Sequence, residues 1–301
     1  MKVNKPSATA HLIACSMVAL SRHRVFAPLV PPMAADASTW FVEARPRRAN
    51  LLRRCAGKSW FQKLVAMIER LTIPGMTLHY LLRKQYLEQV ARDCLNTGTA
   101  QLVVLGAGFD TLALRLQGEF AEAVFFELDH PATQRVKLQA LETHQVRLPR
   151  VKFLPVDFTR ETLQQSLLDY RDYNPTAPTL FVAEGVLMYL PVEKVRDIFQ
   201  FIRAHAGSGS RFAFTFLEPR ADGEIAFQHS TKGVDLWLKL RAEPFRWGIK
   251  QNDLAGFLQA NGFALHELAN HETLRARYLT TETLFRVPLA EGECICVAEQ
   301  E

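Results

Sequence analysis

The residues with the clearest chemical potential surround Val103-Val104-Leu105-Gly106-Ala107-Gly108-Phe109-Asp110-Thr111, an apolar run that passes through two glycines into a helix-starting segment. At the carboxyl end of the first strand of an open α/β sheet, glycines in such a turn let the backbone approach a nucleotide-like ligand closely. Asp110 is placed to cap the helix that follows. Beyond the turn stand Glu127 and Asp129, which end the next apolar run. A carboxylate there accepts both hydroxyls of a ribose and is ionised at neutral pH. Period two puts both acids on one side of a strand, so spacing does not choose between them, and Asp129 is preferred as the nearer to the strand's end. Two more acids follow apolar runs, Asp157 after Val151–Val156 and Glu184 after Thr179–Ala183. Because the carboxyl ends of parallel strands face one crevice, Asp129, Asp157 and Glu184 are expected to gather with the glycine turn.

A dinucleotide fingerprint would place a third glycine at position 111, where the helix must approach a pyrophosphate, and Thr111 stands there. This counts against a nicotinamide or flavin cofactor and favours an adenosine ligand without phosphate, of which S-adenosylmethionine is the common one. Arg83 is an independent clue. Tyr86, Leu87, Val90 and Cys94 lie within about 60° of it on a helical wheel, so it sits near the centre of an apolar face. Burying a guanidinium without an anion costs several kcal/mol. It must meet either a protein carboxylate, as a core salt bridge, or the carboxylate of a ligand.

The elements that would position these residues follow from periodicity. Strands are predicted at Gln101–Leu105, Val124–Leu128, Val151–Val156, Thr179–Ala183, Arg211–Leu217, Phe263–Leu268 and Cys294–Ala298. Helices are predicted at Asp110–Leu116, Ala132–Thr143, Glu161–Asp172, from Pro191 to a stop at Gly207, and at Asp253–Asn261. Regular alternation implies βαβ crossovers and a parallel sheet covered on both faces. The alternation lapses after Pro219 for about thirty residues, which reads as an insertion. Residues before position 100 read as helices, best between Leu78 and Leu95.

The chain has 301 residues, 48% hydrophobic and 22% charged, a composition that excludes a disordered or fibrous protein. Its net charge of +5 is too small to argue for nucleic acid. The charge is uneven: residues 1–99 hold 15 basic and 5 acidic side chains, the remainder 21 and 26. The basic surplus is densest from Arg45 to Lys63, where it would attract an anionic ligand or simply form a solvated surface. The five cysteines are odd in number and contain no C-x-x-C pair, which suggests neither a disulfide framework nor a zinc site. No apolar run approaches the roughly 18 residues of a membrane span. Ala8–Leu20 is faintly leader-like behind Lys2 and Lys5, but Thr9, His11 and Ser16 interrupt it. A cytoplasmic protein with no membrane or nucleic-acid partner is expected.

Taken together, the motifs resemble the leucine carboxyl methyltransferase family of class I S-adenosylmethionine-dependent methyltransferases, including its bacterial polyketide-type O-methyltransferases. The matching stretches are Leu105-Gly-Ala-Gly-Phe-Asp-Thr111 with Arg115 and Leu116, Phe126-Glu-Leu-Asp-His-Pro131, Val156-Asp-Phe158, Ala183-Glu-Gly-Val-Leu-Met-Tyr-Leu190, and Phe245-Arg-Trp-Gly-Ile249 followed by Phe257-Leu and Asn261-Gly-Phe263. The resemblance implies a Rossmann-like doubly wound α/β sheet of seven strands, with an N-terminal helical cap (residues 1–98) on a cofactor-binding domain (99–301) and an insertion at about 219–250. It implies that Arg83 binds the cofactor's carboxylate, that Gly106 and Gly108 line its methionine and ribose, and that Asp129 holds the ribose hydroxyls. Asp157 with Phe158 would border the adenine, Glu184 would reach the methionine end, and Tyr189, the catalytic candidate, would lie near the transferred methyl. Leu112 stands where the family often has arginine, and at the N-terminus only Ser7-Ala-Thr9-Ala10 matches the family's start.

The expected activity is O-methylation with S-adenosylmethionine, on the carboxylate of a small molecule or peptide, with an anionic acceptor drawn by the basic N-terminal region. A carboxylate is ionised at neutral pH and needs no general base. A hydroxyl acceptor would need one, with His229 in the insertion as the best-placed candidate. The third reading is a cofactor-binding protein without turnover. Trp237, Phe245 and Trp247 would suit an aromatic acceptor wall or, more simply, an apolar anchor for the insertion.

Overall fold

The computed structural model describes residues 6–44, 55–56, 58–231, 233–234 and 243–301. The arginines at positions 45, 47, 48, 53 and 54 and Trp237 lie outside the described residues. Among the described residues one seven-stranded sheet has the order β3-β2-β1-β4-β5-β7-β6. The strands are β1 (Gln101–Leu105), β2 (Val124–Asp129), β3 (Val151–Pro155), β4 (Thr179–Ala183), β5 (Arg211–Leu217), β6 (Phe263–Ala269) and β7 (Glu293–Gln300). β1 and β4 are buried along their whole length, as the continuous apolar runs of interior parallel strands should be. Strand order reverses between them, which opens a crevice at their carboxyl ends.

Alternation along the strands divides the core into two layers. On one face Leu102, Val104, Leu180 and Val182 pack with Leu82, Leu87 and Ala91 of helix α4 (Met76–Asn96). On the other, Val103, Leu105, Phe181 and Ala183 share a core with Val195, Ile198, Phe199 and Ile202. Those four lie at helical spacing on α7 (Val192–His205), so one stripe of that helix covers the sheet. Between them in the chain come α5 (Leu112–Leu116) and α6 (Pro131–Thr143), and after β5 come α8 (Gln251–Ala260), α9 (His271–Tyr278) and α10 (Glu282–Phe285). The N-terminal helices are α1 (Ala8–Leu20), α2 (Pro32–Glu43) and α3 (Ser59–Leu71). The leader-like stretch is α1: Ser7 caps it by accepting from the Ala10 amide at 3.1 Å, and Ala14, Met17, Val18 and Leu20 are buried.

Two expectations are corrected. The helix predicted over Glu161–Asp172 is only a five-residue π-helical turn, Gln164–Leu168. Thr162 and Gln165 do form a reciprocal cap, but only Leu163 and Leu167 of the segment are buried, too little apolar face to hold a three-turn helix. The sheet is also mixed, because β7 runs antiparallel to both β5 and β6. Hydrophobic alternation carries no information about strand direction, and after α9 and α10 the chain re-enters the sheet from the end at which β6 finished, between β5 and β6. In consequence β7 begins where the parallel strands end, with Glu293 opposite Leu217.

Trp247 is buried in the second core layer, its ring 5.7 Å from Phe257, and so anchors the insertion. Phe245 instead lies 5.3 Å from the Tyr189 ring. Cys294 and Cys296 are buried on one face of β7, and the five cysteines form no disulfide.

Candidate active site

The glycine turn leaves β1 with φ of 62° at Gly106 and 50° at Gly108, both in the left-handed region. A Cβ on Gly106 would lie 2.3 Å from the Val186 side chain, so glycine is required where the turns after β1 and β4 meet. The Ala107 amide donates to Leu128 O at 3.1 Å and ties this turn to β2. Above it is a cavity of about 180 Å³. Arg83, Gly106, Gly108, Asp129, Asp157, Phe158, Glu184 and Tyr189, all eight residues singled out in the sequence, line it.

The two acids of β2 part company. Glu127 is buried and meets the Lys137 ammonium at 2.5 Å, and Lys137 also donates to Asp110 O. Asp129, one pleat further on, reaches the cavity with its Oδ2 buried and without a hydrogen-bond partner. Burial pushes its carboxyl up to about 7, against the pull of the His130 and Gly108 amides. An unpartnered carboxylate oxygen beside a glycine cradle suits a ligand's hydroxyls. Asp157 is held by the Thr159 amide at 3.0 Å and hydroxyl at 2.6 Å, and although burial opposes ionisation these bonds leave its carboxyl below the ordinary range.

Arg83 is almost wholly buried and meets two carboxylates. Its Nη1 donates to both oxygens of Glu293 at 2.8 Å, while Nε and Nη2 donate to Glu184 Oε1 at 3.0 and 2.8 Å. Lys84 joins the same network, with its Nζ 2.5 Å from Asp110 Oδ2 and 3.0 Å from Glu184 Oε2. The core-salt-bridge reading of Arg83 is therefore realised in the geometry. These contacts engage Nε, Nη1 and Nη2, so every nitrogen of the guanidinium already faces a protein carboxylate. Burial alone would raise the Glu293 carboxyl, but Arg83 and the His79 Nε2 contact at 2.7 Å bring it down to about 2. Asp110 is likewise pushed up by burial and held far below the carboxylate range by Lys84. Asp110 is not the helix cap expected of it: α5 starts at Leu112 with Thr111 at its N-cap, and the Asp110 Oδ1 instead accepts from the Leu112 amide at 2.5 Å in an Asx turn just before the helix.

At the far end of the cavity, Tyr189 sits in a short 3-10 turn, Leu187–Tyr189. Burial raises its phenol well above the ordinary range, so it stays protonated at neutral pH and acts as a hydrogen-bond donor, not a base. Here the N-terminal helix and the insertion converge. Glu243 accepts from the Thr9 hydroxyl at 2.5 Å and the Ala8 amide at 3.3 Å, at the start of α1. Arg246 is exposed on the rim, its backbone amide donating to Met188 O at 2.7 Å. Its guanidinium has no hydrogen bond or ion pair among the described residues. His229, the candidate base, is exposed at φ 62° near Glu291 and does not line the cavity.

A family model described as leucine carboxyl methyltransferase matches residues 13–203. The chain belongs to that family. The match runs from α1 through α7 and so includes the glycine turn, Asp129, Asp157, Glu184 and Tyr189. Among relatives, a Bacillus subtilis protein named as a candidate S-adenosyl-L-methionine-dependent methyltransferase is 30% identical over 191 residues, 62% of this chain and 61% of that protein. A Mycolicibacterium smegmatis protein of the same description is 29% identical over 203 residues, 64% and 63% of the two chains. The matches thus span just over three fifths of the relatives' length. The crystal structure of a DUF574 family protein from Streptomyces avermitilis shares the fold, with a TM-score of 0.58 over 99% of both chains at 12% identity. In this family member the sequence reading missed Lys84, Glu243, Arg246 and Glu293. Lys84 and Arg246 adjoin residues already singled out, and Glu293 immediately precedes the alternating Cys294 and Cys296. Glu243 carries no signal in its neighbourhood.

Proposed function

We propose that this protein is an S-adenosylmethionine-dependent methyltransferase that methylates the carboxylate of a small molecule or peptide. The unpartnered Arg246 guanidinium beside the Tyr189 turn is the observation that carries the acceptor assignment. Of the three lysine and arginine side chains that line the cavity among the described residues, Arg83 and Lys84 are already matched by carboxylates, which leaves Arg246 among them to draw and align an anionic acceptor. The cofactor, when bound, supplies a methyl group activated by its sulfonium.

The residues present fit that cofactor. Asp129 accepts the ribose hydroxyls, and the glycine turn lets them come close. Arg83, Lys84 and Glu184 form the cavity wall at the amino-acid end, the acid suited to its ammonium and the two cations, though paired, to its carboxylate. Asp157 and Phe158 border the base. At the acceptor end, Tyr189 donates a hydrogen bond and takes no proton, and α1, braced by Glu243, shields the reacting atoms from water. Alignment of two bound reactants supplies most of the acceleration, with effective concentrations on the order of 10⁵ M or more. A carboxylate suits a site of this kind because it arrives ionised, whereas a phenol would require a base.

Release of S-adenosylhomocysteine is to be measured across panels of carboxylic acids and phenols. Turnover on acids is expected, and turnover confined to phenols overturns the carboxylate assignment. Arg246→Ala should raise the acceptor KM roughly 10- to 100-fold, the worth of a charged hydrogen bond, with the cofactor Kd unchanged.

A further inference from the structure

Among the described residues helix α3 stands apart from the other long helices, because none of its 13 residues is buried. On a helical wheel Trp60, Leu64, Met67, Ile68 and Leu71 fall within an arc of about 100°. All five are exposed, Trp60 by 56% and Leu71 by 66%. The inward side, with Phe61, Val65 and Glu69, lines a cavity of about 560 Å³, so the helix rests over a void and not on a packed core. Lys63 and Arg70 lie at one edge of the outward apolar arc, Lys58 stands just before the helix, and all three are exposed. By sequence, positions 45–63 hold seven basic side chains and no acidic one.

We propose that α3 is a surface anchor that lays its outward apolar stripe into the interface of a bilayer containing anionic phospholipid. The helix is about 20 Å long, too short to cross a bilayer, and no described helix is long and apolar enough to do so. An apolar stripe flanked by lysine and arginine is the pattern of a helix lying in the plane of the headgroups, with the long cationic stems reaching lipid phosphates. Juxtaposed basic residues strengthen this attraction to anionic lipid. A second copy of the chain fits less well. One stripe of a 13-residue helix covers a few hundred Å², well short of the roughly 800 Å² per partner of a stable interface, and a two-fold contact would bring like charges together. The proposal is independent of the methyl acceptor.

The test is co-sedimentation of the full chain with vesicles of phosphatidylcholine alone and of phosphatidylcholine mixed with phosphatidylglycerol. Binding to the mixed vesicles, weakened by salt, is expected. Ile68→Glu/Leu71→Glu should weaken it roughly tenfold or more by removing apolar insertion. Lys63→Glu/Arg70→Glu, at two exposed positions, should weaken it on the mixed vesicles and leave any residual binding to phosphatidylcholine unchanged. The proposal is overturned if the unaltered chain stays in the supernatant, if both variants sediment as it does, or if the apolar variant instead dissolves a dimer seen by light scattering.

Discussion

The charged groups gathered at the carboxyl ends of β1 and β4 contrast with two others that line the same cavity. Arg83, Lys84, Asp110, Glu184 and Glu293 form one connected network in which each charge faces an opposite one at 3.0 Å or less. Asp129 and Arg246, by contrast, present a carboxylate oxygen and a guanidinium without partners. A matched network holds its geometry whether or not a ligand is bound, because each charge is already compensated. An unmatched group is less comfortable alone and gains most when a ligand supplies the missing partner. The first region shapes the site, and the second is where binding free energy is to be found.

The contrast breaks most visibly at Glu293. Glu293→Ala leaves Arg83 and His79 buried without their shared anion, and unfolding in urea should show a loss of about 3–5 kcal/mol, the cost of splitting a buried pair. Its pH dependence has a definite sign. With its carboxyl lowered from 4.5 to about 2, Glu293 contributes stability that is complete above the unfolded value and is lost as pH falls toward 2. Acid unfolding of the alanine variant should be correspondingly shallower in that window.

Asp129 carries the opposite sign. Raised from 3.8 to about 7, it binds its proton more tightly in the folded chain, so its contribution makes the protein less stable as pH rises from about 4 to 7. Asp129→Asn should flatten that slope in thermal unfolding while weakening S-adenosylhomocysteine binding roughly 10- to 100-fold in calorimetry. In the unaltered protein, binding should tighten as pH rises through 7, because the ionised form accepts both ribose hydroxyls. A variant that binds as well as the parent would remove Asp129 from the ribose.

The smallest effect is expected where the insertion braces α1. Glu243→Gln retains a weaker bond to Thr9 but loses the charge at the helix N-terminus, worth about 0.5–1 kcal/mol. The acceptor KM should rise a few-fold with the cofactor Kd unchanged, and equal shifts in both would show that Glu243 supports the whole cavity.

What could be read in the sequence was local. The Gly106–Gly108 turn, a helix between Leu78 and Leu95 and the acids at strand ends follow from turn chemistry and periodicity, which act over a few residues. The same periodicity placed Arg83 in the core and required it to find an anion. It did not say which one, and it did not separate Glu127 from Asp129, because the Lys137 that neutralises Glu127 comes from the following helix.

The tertiary structure decided the direction of β7 and everything that follows from it. Acids were sought at the ends of strands, yet an antiparallel strand brings its beginning to the crevice, so Glu293 meets Arg83 across 210 positions of sequence. In the same way Glu243 reaches Thr9 across 234 positions and joins the insertion to the start of α1. Sequence by itself determined the alternating α/β layers and the cofactor turn, since these arise from contacts between near neighbours. The pairing of charges was left to the fold, because Coulomb attraction in a buried site depends on distance in space and not on separation along the chain.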